Sequence, residues 1–125
     1  MKLVRILAPL LIALSLLAIA APAYAATSVE ECQQKITDLR TATLNATFIG
    51  RNADKDQAGL VAKLDGALVK LSEGKYDDTL ANLNQFRTKV QQLDAQGKIN
   101  SEDAAILLAG SDDAIACVQN LSDGV

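Results

Sequence analysis

From residue 26 onward the chain contains no proline; its two prolines, Pro9 and Pro22, both fall in the first 25 residues. Proline breaks helix interiors because it lacks an N–H and its ring clashes with the preceding turn. The proline-free stretch is also rich in Ala, Leu, Gln, Asp and Lys, so helix is favoured along its whole length. The apolar spacing agrees. After Ser28, which forms a capping box with Glu31, apolar positions recur at Val29, Cys32, Ile36 and Leu39, and less cleanly at Thr43. This first helix is expected to end between Leu44 and Gly50, followed by a polar turn from Gly50 to Asp56. A second helix carries Leu60, Leu64, Leu68 and Leu71, with Val61 and Ala67 beside them, and Gly74 is its left-handed stop. A third places Tyr76, Leu80, Leu83, Phe86, Val90 and Leu93 on one stripe and ends at Gly97.

Asn100 or Ser101 then caps a fourth helix with Ala104, Leu107, Leu108, Ile115, Val118 and Leu121 on its apolar face. Gly110-Ser111-Asp112-Asp113 could interrupt it, and a continuous helix is the favoured reading. Three short connections make successive helices antiparallel neighbours, which predicts an all-α, up-down-up-down four-helix bundle. Leu64, Leu83, Phe86 and Leu108 are expected to fill its centre.

The N-terminal segment sets the compartment. Lys2 and Arg5 precede an uncharged apolar run, Ile6 to Ala21, interrupted only by Pro9 and Ser15, and Ala23-Tyr24-Ala25 is a signal-peptidase site. Residues 1–25 therefore read as a signal peptide and 26–125 as a single helical domain, secreted or periplasmic after cleavage. A retained membrane anchor is the competing reading, disfavoured by Pro9 and the well-formed cleavage site. No second apolar run long enough to span follows, so no membrane association is expected of the cleaved chain.

Loss of Lys2 and Arg5 leaves 10 basic residues against 15 acidic ones, a formal charge of −5. This balance argues against nucleic acid or an anionic lipid surface as partner. Only Phe48, Tyr76 and Phe86 supply aromatic rings, too few for a base- or sugar-stacking platform. Histidine is absent from the sequence, which excludes Ser-His-Asp and Cys-His nucleophiles and His-ligated zinc or haem.

Two cysteines in an exported domain of this size read as a disulfide rather than as redox-active thiols, for which the C-x-x-C spacing is missing. In the expected bundle the start of the first helix and the end of the fourth share one end. Cys32 and Cys117 occupy those places, so a bridge between them is geometrically reasonable. It closes a loop of about 86 residues, for which the loop-entropy relation gives about 4.6 kcal/mol of stabilisation.

From Leu60 onward, the series Lys63-Leu64, Leu68, Leu71, Gly74, Leu83, Phe86, Val90, Gly97-Lys98-Ile99, Ala104-Ala105, Leu108 and Ile115 resembles the FIMAH-type helical domain appended to secreted multidomain bacterial proteins. Phe48-Ile49-Gly50 extends the resemblance, which covers roughly Leu39 to Ile115. It implies a small extracellular α-helical module with no catalytic residues assigned. The chain departs from that pattern in standing alone, in lacking the histidines that often decorate those helices, and in carrying a cysteine pair.

Few segments suggest chemistry. Asp54, Asp56 and Asp65 match positions 1, 3 and 12 of an EF-hand loop, with Gly59 at position 6 and Val61 at position 8. These three aspartates are the calcium candidates. Ala58 at position 5 is no oxygen donor, and the leucine periodicity favours helix-starting carboxylates instead. Glu73 to Leu80 is similar to the turn between tetratricopeptide repeats, but no copy recurs at the 34-residue period a solenoid needs. The carboxylate pairs Glu30/Glu31, Asp77/Asp78 and Glu102/Asp103 sit at expected helix starts, and Asp112/Asp113 lies in the stretch that could interrupt the fourth helix; without a cleft and sugar-binding aromatics they do not suggest glycoside hydrolysis. Asn45-Ala46-Thr47 and Asn120-Leu121-Ser122 are formal glycosylation sequons, without meaning in most bacteria. The expectation is a monomeric, non-catalytic exported module with a structural or protein-interaction role, no cofactor, and a protein partner left unnamed. The alternative is a small binder of a hydrophobic ligand or calcium.

Overall fold

A computed structural model describes residues 27–124 of the chain. The expected signal peptide at 1–25 lies outside the described residues. Four helices follow one another: α1 (Val29–Asn45), α2 (Ala53–Ser72), α3 (Tyr76–Ala95) and α4 (Ser101–Ser122). Ser28 caps α1, its hydroxyl accepting from the Glu31 amide at 3.1 Å. Asn100 caps α4, its side-chain oxygen accepting from the amides of Glu102 (3.0 Å) and Asp103 (3.1 Å). Helix α4 runs unbroken through Gly110–Asp113, as the sequence favours. There Ser111 donates to the Leu108 carbonyl within the helix, and Asp112 reaches out to Arg87.

Helix α2 begins at Ala53, inside the polar turn expected to last until Asp56. Asp54 and Asp56 are carboxylates in its first turn, where the exposed amides and helix dipole favour negative charge. The chain instead turns through Gly50, whose φ of 102° suits glycine, and the Ala53 amide donates to the Gly50 carbonyl at 3.2 Å. Helices α2 and α3 both end in Schellman closures. Lys75 N–H donates to Lys70 C=O (2.9 Å) and Lys98 N–H to Leu93 C=O (2.8 Å), around Gly74 and Gly97 at φ 75° and 68°.

Helix α1 packs against α2 and α4, and α3 packs against the same two, so the helices form a closed ring of antiparallel neighbours. At one end the α1–α2 and α3–α4 loops are tied together. Phe48 and Ile99 form an antiparallel bridge, Ile49 N–H donates to Lys98 C=O at 2.9 Å, and Asn100 N–H donates to Thr47 C=O at 3.0 Å. Thr47 N–H donates to the Asp103 carboxylate at 2.8 Å, so a first-turn residue of α4 holds the α1–α2 loop.

Ile36, Leu60, Leu64, Leu71, Leu83, Phe86, Val90, Leu93, Leu107 and Val118 are buried in the interior. The inward stripe of α4 keeps Ala104, Leu107 and Val118 of the expected one, but Ser111, Ala114 and Cys117 are buried with them, while Leu108, Ile115 and Leu121 lie partly exposed at the edge. Leu107 thus takes the central place assigned to Leu108. The sequence hid this because an interior serine looks unfavourable. Its hydroxyl, like those of buried Thr43 and Thr79, donates to a carbonyl one turn earlier at 2.8 Å and carries no unpaired donor.

The bundle is two copies of one helical hairpin. A shift of 47 residues carries Val29, the start of α1, onto Tyr76, the start of α3. The same shift takes the buried Cys32, Ile36, Leu39 and Thr43 onto Thr79, Leu83, Phe86 and Val90, all buried. It also takes Leu60, Leu64, Ala67 and Leu71 onto Leu107, Ser111, Ala114 and Val118, again all buried. The left-handed Gly50 maps onto the left-handed Gly97. Each hairpin carries the same ion pair, Arg40 to Asp65 and Arg87 to Asp112, both 2.7 Å and both 25 residues apart.

Cys32 and Cys117 are bonded, with Cα atoms 5.6 Å apart at the shared end of α1 and α4, as the sequence predicts. Under the 47-residue shift, Cys32 corresponds to Thr79 and Cys117 to Lys70, the residues flanking the tight α2–α3 turn. The peptide turn that joins the first hairpin to the second is therefore answered by a disulfide joining the second back to the first.

Replacing both cysteines, Cys32→Ser with Cys117→Ser, is expected to lower unfolding free energy by about 2–5 kcal/mol in a urea titration. A loss below about 1 kcal/mol would show that the bridge does not constrain the unfolded chain. The exposed pairs behave differently: Asp65→Asn or Asp112→Asn is expected to cost under about 1 kcal/mol, because solvent screens both.

Candidate functional site

The calcium candidates are placed along a helix, not around a point. Asp54 and Asp56 lie in the first turn of α2 and Asp65 eleven residues beyond Asp54 in the same helix. At 1.5 Å per residue, Asp54 and Asp65 are about 16 Å apart along the axis. An EF-hand needs all its oxygens within about 2.6 Å of one ion, with the chain unwound around it. Asp65 is also committed to Arg40. Among the described residues, no group of three or more Cys, Asp or Glu side chains converges as a metal site would require. Asp56 keeps one carboxylate oxygen, Oδ2, buried and without a hydrogen-bond partner. Its repeat equivalent, Asp103, spends a carboxylate oxygen on the Thr47 amide.

The carboxylate pairs are dispersed in the same way. Glu30/Glu31, Asp77/Asp78 and Glu102/Asp103 occupy the first turns of α1, α3 and α4. Asp112 belongs to the Arg87 pair.

Three clefts stand out on the surface of the described residues. The first, about 420 Å3, lies at the end carrying the α2–α3 turn and is lined by Gly74, Lys75, Tyr76, Asp77, Asp78 and Ser122. The other two flank α1. Between α1 and α4, Leu39, Ala42, Ile106 and Gly110 floor a groove of about 260 Å3 rimmed by Lys35, Asp38 and Asp113. Gly110 keeps this groove narrow at its base, since a Cβ there would come within 2.9 Å of Leu39 Cδ1. Between α1 and α2, Leu44, Ala58, Val61 and Ala62 line a groove of about 320 Å3 with Asp54, Gln57 and Asp65 along it. Leu44 and Ile106 are among the large apolar side chains left outside, 50% and 59% exposed.

None of the three clefts reaches Leu64, Leu83 or Phe86, which are fully buried. The chamber between helices that a hydrophobic-ligand carrier needs is therefore not among them. The outer faces of α1, with an apolar groove on either side, are the most distinctive surface. Neither groove was foreseen, because Leu44 and Ile106 fall outside the core periodicity and read as helix-edge residues. Comparison with family models, with curated proteins and with solved structures returns no match for the chain.

Gly59 separates the two readings of the aspartate segment. A calcium loop requires glycine at its sixth position. In α2 a Cβ at Gly59 meets nothing within 4 Å. Gly59→Ala is thus expected to stabilise the fold by about 0.5–1 kcal/mol in thermal or urea unfolding. The melting temperature of the unsubstituted protein is expected to be the same in calcium and in chelator. Destabilisation by Gly59→Ala together with a calcium-dependent melting temperature would restore the calcium loop.

Proposed function

We propose that this chain is an exported, non-catalytic helical-bundle module with a structural or protein-interaction role, working in the periplasm or outside the cell after removal of residues 1–25. The observation that carries this reading is the buried Cys32–Cys117 bond, which joins the first helix to the last. Such a bond persists in oxidising compartments and is rare in the cytosol. The leader sequence points the same way independently. Among the described residues, no helix is long and apolar enough to cross a membrane.

The interaction role rests on the α1 grooves, where Ala42, Leu44 and Ile106 offer apolar surface beside charged side chains. The FIMAH resemblance favours the same kind of module, a small extracellular helical domain without its own chemistry. A ligand-binding role would use the groove beside Ile106 rather than the filled interior.

Expression of the full chain in a bacterial host tests the reading. The expected product starts at Ala26, fractionates outside the cytoplasm and contains no free thiol by alkylation mass spectrometry. Recovery of unprocessed protein in the cytoplasm, with both cysteines alkylated, would overturn it.

A further inference from the structure

The surface of each hairpin that faces the other is built to receive a hairpin of its own kind, and we infer that a second copy of this chain can supply it. In this arrangement two chains exchange hairpins to form two bundles, and the Cys32–Cys117 bond fixes whether a chain ends as monomer or exchanged dimer. This goes beyond the proposed module role, because it names a partner and the residues that decide its access.

Two observations carry it. The first is the repeat: the two hairpins meet through equivalent buried rows, so the bundle is internally two-fold, and α1–α2 of one chain fits α3–α4 of another as well as its own. Exchange then creates no new interface and loses none, which is why swapping identical elements is a low-cost route to dimers. The second is the hinge. Only Glu73, Gly74 and Lys75 separate α2 from α3. Glu73 is already in the right-handed helical region (φ −85°, ψ −1°), so the reversal rests on Gly74 at φ 75° and Lys75 at φ −91°, ψ 77°. Returning those two residues to helical angles fuses α2 and α3 into one helix over residues 53–95, about 64 Å long. That helix carries α3–α4 away from its own α1–α2.

The cysteines record the outcome. In the monomer Cys32 meets Cys117 of the same chain. In the exchanged dimer each Cys32 meets Cys117 of the second copy, giving two bridges between chains. Forming each bridge takes two electrons and two protons from two thiols; oxidised glutathione accepts them and leaves as two reduced glutathiones. Once formed, the bridge locks either state.

The test uses Gly74→Ala. Alanine disfavours the left-handed turn and favours the fused helix, by about tenfold per hinge and about a hundredfold for a dimer with two. Unsubstituted and Gly74→Ala chains, each mixed one to one with isotope-labelled copies, are unfolded, reduced, and refolded in glutathione buffer over a range of protein concentrations. The expected result is a dimer on non-reducing gels, increasing with concentration, about a hundredfold more favoured in Gly74→Ala. Its cross-linked peptides should join labelled Cys32 to unlabelled Cys117 and the reverse.

Gly74→Ala that refolds only to monomer overturns the inference, as do dimers joined Cys32 to Cys32 or Cys117 to Cys117. Should Gly74→Ala not refold, the unsubstituted chain decides against one with a short Gly-Ser insertion after Gly74. A Cys32–Cys117 dimer at the highest concentration, lost with the longer turn, supports exchange. Its absence from the unsubstituted chain, or its persistence with the longer turn, refutes it.

Discussion

Neither hairpin of this chain can bury its apolar stripe alone. Two antiparallel helices leave one face open, and here that face carries the residues that become the interior only when the second hairpin closes over them. Everything else follows from that mutual need. The ring packing of the helices, the filled centre at Phe86 and Leu64, and the loop-to-loop bridge between Phe48 and Ile99 all join one half to the other. With only three aromatic rings from residue 26 onward, the seam is mostly aliphatic, and its strength lies in continuous burial rather than in a few large anchors.

A domain this small has a modest margin of stability, of the order of 5–15 kcal/mol. Joining the two halves covalently at both junctions protects it. The tight turn at Gly74 closes one junction and the Cys32–Cys117 bond closes the other, at equivalent places in the repeat. Burial of both sulfur-bearing residues, 0% and 4% exposed, places the bond within the packed interior and away from solvent reductants. Such a bond is compatible with the proposed extracytoplasmic role, since disulfides persist in oxidising compartments.

Much of this architecture was legible in the sequence. Leucine spacing located α2, the Tyr76–Leu93 stripe located α3, and the position of two cysteines at one expected end paired them. Ser28 caps α1 as its capping-box spacing indicated, and of the two candidates Asn100 and Ser101 it is Asn100 that caps α4. Three features were hidden. The polar turn was drawn too long: α2 starts at Ala53 rather than after Asp56, with Asp54 and Asp56 as the helix-starting carboxylates that the leucine periodicity favoured. The face of α4 was legible only in part: Ala104, Leu107 and Val118 are buried as expected, but Ser111 satisfies its hydroxyl within the helix and so enters the core while Leu108 and Ile115 move to the edge. The repeat escaped notice because chemically unlike pairs fill its equivalent buried sites: Cys32 and Thr79, Thr43 and Val90, Leu64 and Ser111. The candidate site was the least legible part, since grooves beside α1 arise from how helices meet and leave no periodic signal of their own.

A nicked chain examines the central claim, two like halves joined at both junctions, most directly. A protease site placed between Gly74 and Lys75 allows the turn to be cut in the folded, oxidised protein, and size-exclusion chromatography with circular dichroism then follows what remains. The account predicts that the cut protein stays one compact helical species while oxidised, and that dithiothreitol then releases or unfolds the two hairpins. A cut protein that falls apart while still oxidised, or one that dithiothreitol leaves unchanged, would contradict it.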